Sequence, residues 1–316
     1  MSNQEKSLLV TGGRGFVGRA LVKLLRGSGV RVVSLDQAPM AAAKPQDEIA
    51  CDISDREELE KVFERQGISH VIHLAAVLPT AAQQDPIRAT GVNVVGSLNL
   101  LELARQSGVK RFVFASSLSI YGTWDDSHIV SEADRAAPED LYGAAKLYVE
   151  QLGAAYRERH DLDFVSLRIG RVVGPGAKSA TSAWRSQVFE SLCADRAVVM
   201  EIPYGSSERV LLVHVEDVAK ALASLQSATQ PAYSVYNAPC ESVVVQDLKR
   251  EVEKLNANVT MNLGGANVIG NPRLLDFGRF QEEFGIQVAP IFEQLRKAAA
   301  GATTKNVPAV RRTLPR

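Results

Sequence analysis

The chain has 316 residues, with 36 basic and 36 acidic side chains, 46% hydrophobic residues and three cysteines. That length buries a large core and accommodates one big domain or a domain with a smaller lobe, and the charge balance argues against nucleic-acid or membrane-surface partners. Cys51, Cys193 and Cys240 stand far apart outside any C-x-x-C or Cys/His spacing, so reduced thiols and no metal site are expected, as in a cytoplasmic protein.

The opening MSNQEKS is polar, with no signal-peptide core, and no apolar segment approaches membrane-spanning length. Short apolar, β-branched runs then alternate with longer amphipathic stretches, the pattern of βαβ units around a parallel sheet. SLLVT reads as the first strand, TGGRGFVG as a glycine-rich turn, and a helix follows near 16–27. VRVVSLD is the second strand. CDIS follows, then a helix near 55–66 for which Ser54 and Glu57 form the expected capping box. Next come the strand HVIHLA, a long helix near 88–107, the strand RFVFASS, a second long helix near 142–159 and the strand DFVSLRI. After Gly170 regularity decays: GRVVGPGAKSATS reads as loop and WRSQVFESLC as helix, while VLLVHVEDVAKALASL reads as a strand and helix returning to the sheet. Helices are expected near 244–255 and 290–300, and residues 301–316 form a frayed basic tail.

The fold class is therefore α/β, a Rossmann-type doubly wound parallel sheet with a smaller carboxyl-terminal substrate lobe. Residues 1–170 plus about 208–241 would form the dinucleotide domain, and about 171–207 plus 242–300 the lobe.

Gly12, Gly15 and Gly18 stand three apart between a strand and a helix. In such a turn the first permits the bend, the second lets backbone N–H groups approach a pyrophosphate, and the third lets the helix pack close. Asp36 closes the second strand, where a carboxylate accepts hydrogen bonds from an adenosine ribose and repels a 2′-phosphate. NAD is thus favoured over NADP, with Arg14 expected to face solvent. Asp52, left free by the capping box, is placed to meet the adenine.

A bound dinucleotide alone could mean a passive binder, so chemistry rests on Ser117 at a strand end and on Tyr142 and Lys146, four apart on one helix face. A tyrosine with a pKa of about 10 is a poor base at neutral pH, and a nearby ammonium favours its phenolate. Tyr142 could exchange a proton with a substrate hydroxyl, while Ser117 donates a hydrogen bond to the reacting oxygen.

In TGGRGFVG, Asp36, CDISD, HLAA, VNVVGSLNLLE, FASSLSIYG, YGAAK, LRIGRVVGPG and HVEDVA, from residue 7 to about 295, the chain resembles the extended short-chain dehydrogenase/reductase family, the NAD-dependent epimerase/dehydratase group. The resemblance implies catalytic Ser117, Tyr142 and Lys146. It implies NAD held by Gly12, Gly15, Phe16, Val17, Gly18, Asp36, Asp52, Ile53, Leu74, Ala75, Ala76, Asn93, Tyr142 and Lys146. It also implies a homodimer through the helices near 88–107 and 142–159. Family dehydratases carry a Thr-Asp-Glu triplet where this chain has Ser117-Leu118-Ser119, so dehydration is set aside. Nucleotide-sugar epimerases usually carry Asn where Arg171 stands, and an Arg four residues before His214, whereas Arg209 lies five before. A one-residue offset reverses a strand residue's face. The pattern is closer to sugar-acid and hydroxy-acid dehydrogenases, in which Arg171 could pair with a substrate carboxylate or else form an internal ion pair. Thr80, Ser119, Tyr121, Trp124, Trp184 and Arg185 are pocket candidates by position, and Arg209 is the candidate diphosphate clamp. The expected function is an NAD-dependent oxidoreductase acting on a secondary alcohol of a small sugar-like or hydroxy-acid substrate. A nucleotide-sugar 4-epimerase is the alternative, and a non-catalytic NAD sensor the remoter one.

Overall fold

The computed structural model describes residues 6–37, 47–177 and 183–305. In chain order its strands are β1 (Ser7–Thr11), β2 (Val32–Asp36), β3 (Glu48–Ala50), β4 (Ile68–His73), β5 (Arg111–Ser117), β6 (Ile129–Val130), β7 (Asp163–Ile169), β8 (Arg171–Val173), β9 (Val198–Tyr204), β10 (Arg209–His214), β11 (Val235–Asn237), β12 (Glu241–Val244), β13 (Val259–Ala266) and β14 (Leu274–Leu275). The helices are α1 (Phe16–Gly27), α2 (Arg56–Gln66), α3 (Pro79–Gln84), α4 (Pro86–Thr90), α5 (Ser97–Gln106), α6 (Leu141–His160), α7 (Trp184–Glu190), α8 (Val215–Ser227), α9 (Val245–Leu255), α10 (Gly278–Phe284) and α11 (Ile291–Lys305). Two compact units result, one of Met1–Val172, Val210–Ser242 and Val268–Val288, the other of Val173–Arg209, Val243–Asn267 and Ala289–Arg316.

The first unit is built on a seven-stranded sheet of order β11-β7-β5-β4-β1-β2-β3, parallel throughout. Alternate residues of a strand face opposite layers, so β1 sends Leu8 and Val10 to one core and Leu9 to the other. On the first face Leu21, Val22 and Leu25 of α1 and Val218, Leu222 and Leu225 of α8 cover the sheet. On the second, Leu59, Val62 and Phe63 of α2, Leu100, Leu101 and Leu103 of α5 and Val149 of α6 pack on Phe112, Phe114 and Phe164. The strand order reverses between β1 and β4, and the crevice outside the strands' carboxyl ends at such a point is where ligands bind in open α/β sheets.

Four local readings are corrected. The long helix near 88–107 is interrupted: a π-helical stretch, Gly91–Gly96, separates α4 from α5. GRVVGPGAKSATS contains the short strand β8, and residues 178–182 lie outside the described residues. β10 does not rejoin the main sheet; it pairs in a three-stranded sheet of order β12-β10-β8, and β11 takes the edge beside β7. Strands apolar on both faces look alike in sequence, and only partner choice separates them. The tail expected from 301 is helical to Lys305, where α11 ends, and 306–316 lie outside the described residues.

In the second unit β9 and β13 pair in parallel. Buried Met200, Ile202 and Met261 of these strands, Leu248 and Val252 of α9, and Trp184 and Val188 of α7 supply its interior.

Candidate active site

The glycine turn, Asp36, the 74–77 loop, Ser117, Tyr142 and Lys146 all belong to the first unit. Gly12 turns the chain at φ +66°, and a Cβ on Gly18 would fall 2.1 Å from the Gly12 carbonyl oxygen, so the first turn of α1 sits directly on the glycine loop. The N-cap of α1 is Gly15, with no side-chain capping bond and no acidic residue in the first turn. Those amide donors therefore point at the crevice with no carboxylate competing for them. Phe16 and Val17 open the helix half-buried, and Val17 leans on the core. Asp36, at the end of β2, accepts a hydrogen bond from the Arg14 amide at 3.1 Å, so its carboxylate stands beside the glycine loop. Arg14 is half-buried rather than solvent-facing.

The cap of α2 is not Ser54. Asp55 is the N-cap and accepts from the Glu58 amide at 3.1 Å. Asp52 is consequently not idle: its Oδ1 accepts from the Ser54 amide at 2.9 Å and from the Ser54 hydroxyl at 2.7 Å. An Asp one residue later, with Glu three beyond, met the same spacing rule, and Asp ranks with Ser as a cap. The Ile53 side chain is buried in the core. Leu74, Ala75 and Ala76 follow β4 as a half-buried loop. Asn93 holds that loop: its amide accepts from the Val77 N–H at 2.7 Å and donates to the Val77 carbonyl at 2.9 Å. Both polar ends thus bond the backbone.

Ser117 ends β5 and caps the short 3₁₀ turn Leu118–Ile120, its Oγ accepting from the Ser119 amide at 3.1 Å and lying 3.2 Å from the Ser119 hydroxyl. The first turn of α6 lies against this segment. Asp140 caps it through the Gly143 amide at 2.6 Å, and a Cβ on Gly143 would fall 2.5 Å from the Ser119 carbonyl oxygen. Any larger residue there would collide with the Ser119 backbone. Lys146 is buried, donates to the Ala115 carbonyl at 2.7 Å, and sits 4.5 Å from the Phe114 ring centroid and 5.5 Å from that of Tyr142. Burial lowers its pKa to about 7, opposed in part by Glu150 one turn on. Ser117, Tyr142 and Lys146 thus converge at the carboxyl end of β5. A hydroxyl, a phenol and an ammonium of lowered basicity can together donate hydrogen bonds to a reacting oxygen and exchange a proton with it.

The substrate candidates scatter. Ser119 is buried beside Ser117, with the Asn271 amide nitrogen at 3.5 Å. Arg171 begins β8, two residues past Ile169, the strand partner of Ser117, and is half-buried. Thr80 is exposed on α3. Tyr121 is no pocket residue: fully buried, it donates to Asn237 at 2.8 Å and accepts from Arg168 at 2.7 Å. Trp124 donates to the Tyr121 carbonyl at 3.0 Å and stacks on His128. In the second unit, Trp184 is buried edge-on to Tyr204, Arg185 is half-buried on α7, and Arg209 is exposed at the start of β10.

Several residues of this region were not read from the sequence. Glu150 continues the Tyr142–Lys146 face by four more residues and holds Arg168 at 2.7 Å, both buried, and that spacing could have flagged it. His73 was visible in HLAA, but its partners were not. Asn271 carries no local signal. Among the described residues no group of His, Cys, Asp or Glu could hold a metal ion, and no helix is long and apolar enough to cross a membrane.

Uronate dehydrogenase of Pseudomonas putida is 36% identical over 166 residues, covering 52% of this chain and 60% of that one, so the match spans about three fifths of that relative's length. The UDP-glucose 4-epimerase of Thermus thermophilus, solved in complex with NAD, superposes with a TM-score of 0.77 at 26% identity over 94% of this chain and 99% of that one. MoeE5, solved with UDP-glucuronic acid and NAD, superposes at 0.79 and 29% over 95% and 100%. Residues 8–238 match one family across the glycine turn, both long helices and every strand of the seven-stranded sheet except part of β1, and the chain accordingly belongs to the NAD dependent epimerase/dehydratase family.

Proposed function

We propose that this chain is an NAD-dependent oxidoreductase acting on a secondary alcohol of a small sugar acid or hydroxy acid. The observation that carries the reading is Lys146, buried on the Ala115 carbonyl beneath Tyr142 at the strand end that carries Ser117. The residues fit a dinucleotide: the glycine cradle tolerates no Cβ at Gly18, and Asp36 closes the neighbouring strand where a ribose diol would meet it. Gly12, Gly15, Phe16, Val17 and Gly18 would hold the pyrophosphate side, Asp36 and Asp52 the adenosine, and Ala75, Ala76, Tyr142 and Lys146 the nicotinamide side. When bound, the nicotinamide supplies the hydride acceptor or donor. Tyr142 exchanges the hydroxyl proton at its Oη. Ser117 donates a hydrogen bond to the same substrate oxygen, and Lys146, when protonated, biases Tyr142 toward phenolate. Arg171, just beyond the strand partner of Ser117, is the proposed holder of a substrate carboxylate through its planar fork. The likeness to uronate dehydrogenase favours a uronic acid.

A second reading, an NAD-retaining nucleotide-sugar 4-epimerase, draws on the likeness to UDP-glucose 4-epimerase across nearly the whole chain. A homodimer is proposed on exposed Ile87, Val95 and Leu98 of the 86–106 helical stretch and Leu141 and Tyr148 of α6. A reducing, cytoplasmic setting suits the three unpaired cysteines.

The test is NADH formation from NAD with a panel of uronic acids and hydroxy acids, alongside the nicotinamide content of the purified protein. Turnover that falls about a hundredfold or more in Tyr142→Phe is expected. Near-stoichiometric retained NAD with nucleotide-sugar interconversion would establish the second reading instead, and turnover surviving Tyr142→Phe would refute the assignment of the acid/base.

A further inference from the structure

β1 and β4 are neighbours in register, with Thr11 opposite His73. His73 is wholly buried, set edge-on to Phe112 with ring centroids 6.0 Å apart, and its ring lies 5.6 Å from that of Phe114. Its Nδ1 lies 2.7 Å from the Thr11 hydroxyl and its Nε2 2.8 Å from the Ser97 hydroxyl. The directions of these bonds follow from their ends. The Ser97 hydroxyl donates its only proton to the Asn93 carbonyl at 2.8 Å, so Nε2 must be the donor to Ser97. Burial, with the Lys146 cation nearby, disfavours a second proton on the ring, so Nδ1 accepts and Thr11 donates to it. Thr11 in turn accepts from the Ala75 amide at 3.3 Å.

Both ends of this line close on one loop. It starts at Ala75 and passes through Thr11, His73 and Ser97 to Asn93, whose side chain grips both backbone groups of Val77. The π-helical stretch Gly91–Gly96 contains Asn93 and is followed directly by Ser97, the two residues that finish the line. π-Helical insertions of this kind occur frequently at functional sites. The loop also abuts the glycine turn, since a Cβ on Gly12 would fall 2.8 Å from the Ala75 nitrogen.

We infer that His73, as its Nε2–H tautomer, is a positioning residue that clamps the 74–77 loop against the glycine turn and so pre-forms the dinucleotide cleft. The consequence for NAD rests on the function proposed above; the clamp itself does not. A loop already ordered in the free protein has less conformational freedom to lose when a ligand binds.

The experiment measures the Kd for NAD by calorimetry, amide exchange at Ala75 and Val77, and the imidazole nitrogen signals of the full chain. In the wild type the His73 Nε2 is protonated and Nδ1 bare at neutral pH. His73→Phe keeps a ring between Phe112 and Phe114 but removes both bonds. Its Kd for NAD rises about tenfold, the equivalent of about 1.4 kcal/mol, and the Ala75 and Val77 amides exchange faster. His73→Gln, whose amide can reach Ser97, restores part of the affinity. Ser97→Ala leaves the imidazole in place and moves the same readouts in the same direction, which keeps the test open if the Phe variant does not fold. A bare Nε2, an imidazolium at neutral pH, or unchanged NAD affinity and exchange in the variants overturns the inference. A wild type that binds no NAD refutes the proposed function instead, while the tautomer and the exchange rates still decide the clamp.

Discussion

Lys146 is costly to keep in place, and replacing it by methionine tests why. Its pKa falls from the ordinary 10.5 to about 7 because its ammonium is buried, with one carbonyl acceptor and two aromatic rings in place of water. At about 1.4 kcal/mol per pH unit, the gap corresponds to roughly 5 kcal/mol against folding when the group is charged in both states. That cost is fully present below pH 7 and disappears as pH rises toward 10.5, because in that window the unfolded chain holds the proton and the folded chain has released it. Lys146→Met removes the cost along with one hydrogen bond of about 1 kcal/mol, which does not vary with pH. The cofactor-free variant should therefore be more stable than the wild type at pH 6, and its advantage should shrink by roughly 3 kcal/mol by pH 9. Urea unfolding of both proteins at pH 6, 7, 8 and 9 measures this directly, since all other titrating groups are common to the pair. A difference that stays flat or grows with pH refutes the burial argument. The same variant should lose turnover, which would identify the buried ammonium as retained for chemistry at the expense of stability.

Gly18→Ala places a methyl 2.1 Å from the Gly12 carbonyl oxygen and 2.8 Å from Gly13 backbone atoms, none of which is the end of a flexible side chain. NAD affinity should fall by about tenfold or more by calorimetry, since the turn must open to admit the methyl; wild-type affinity in a folded variant contradicts the cradle. Glu150→Ala leaves Arg168 buried with its ionic partner gone. Denaturant unfolding should show a loss of about 3–5 kcal/mol, and a loss under about 1 kcal/mol would mean that water or a neighbour takes over the guanidinium.

Much of this site is local in sequence, and local physics made it legible. The glycine turn is legible because Gly12, Gly15 and Gly18, three apart after an apolar strand, serve one backbone geometry, and Tyr142 and Lys146 because four residues separate them on a helix. The strands of the parallel sheet declare themselves as short apolar runs between amphipathic helices, and Asp36 follows from where the second run stops. The cap of α2 was missed by one residue because Ser54 and Asp55 each satisfy the same capping pattern, and the sequence has no term for which one the chain commits to.

What the sequence alone determined is therefore the layered α/β plan, the dinucleotide turn and the Tyr-Lys face. Tertiary structure decided which apolar strand sits where, sending β10 to a small sheet and β11 to the edge of the large one. It also fixed Val77 as the backbone partner of Asn93, buried the side chains of Ile53 and Tyr121, and joined Thr11, His73 and Ser97 into one line. Those outcomes depend on partners dozens of residues away, and a side chain's role in a core is set by what stands opposite it once the strands have paired.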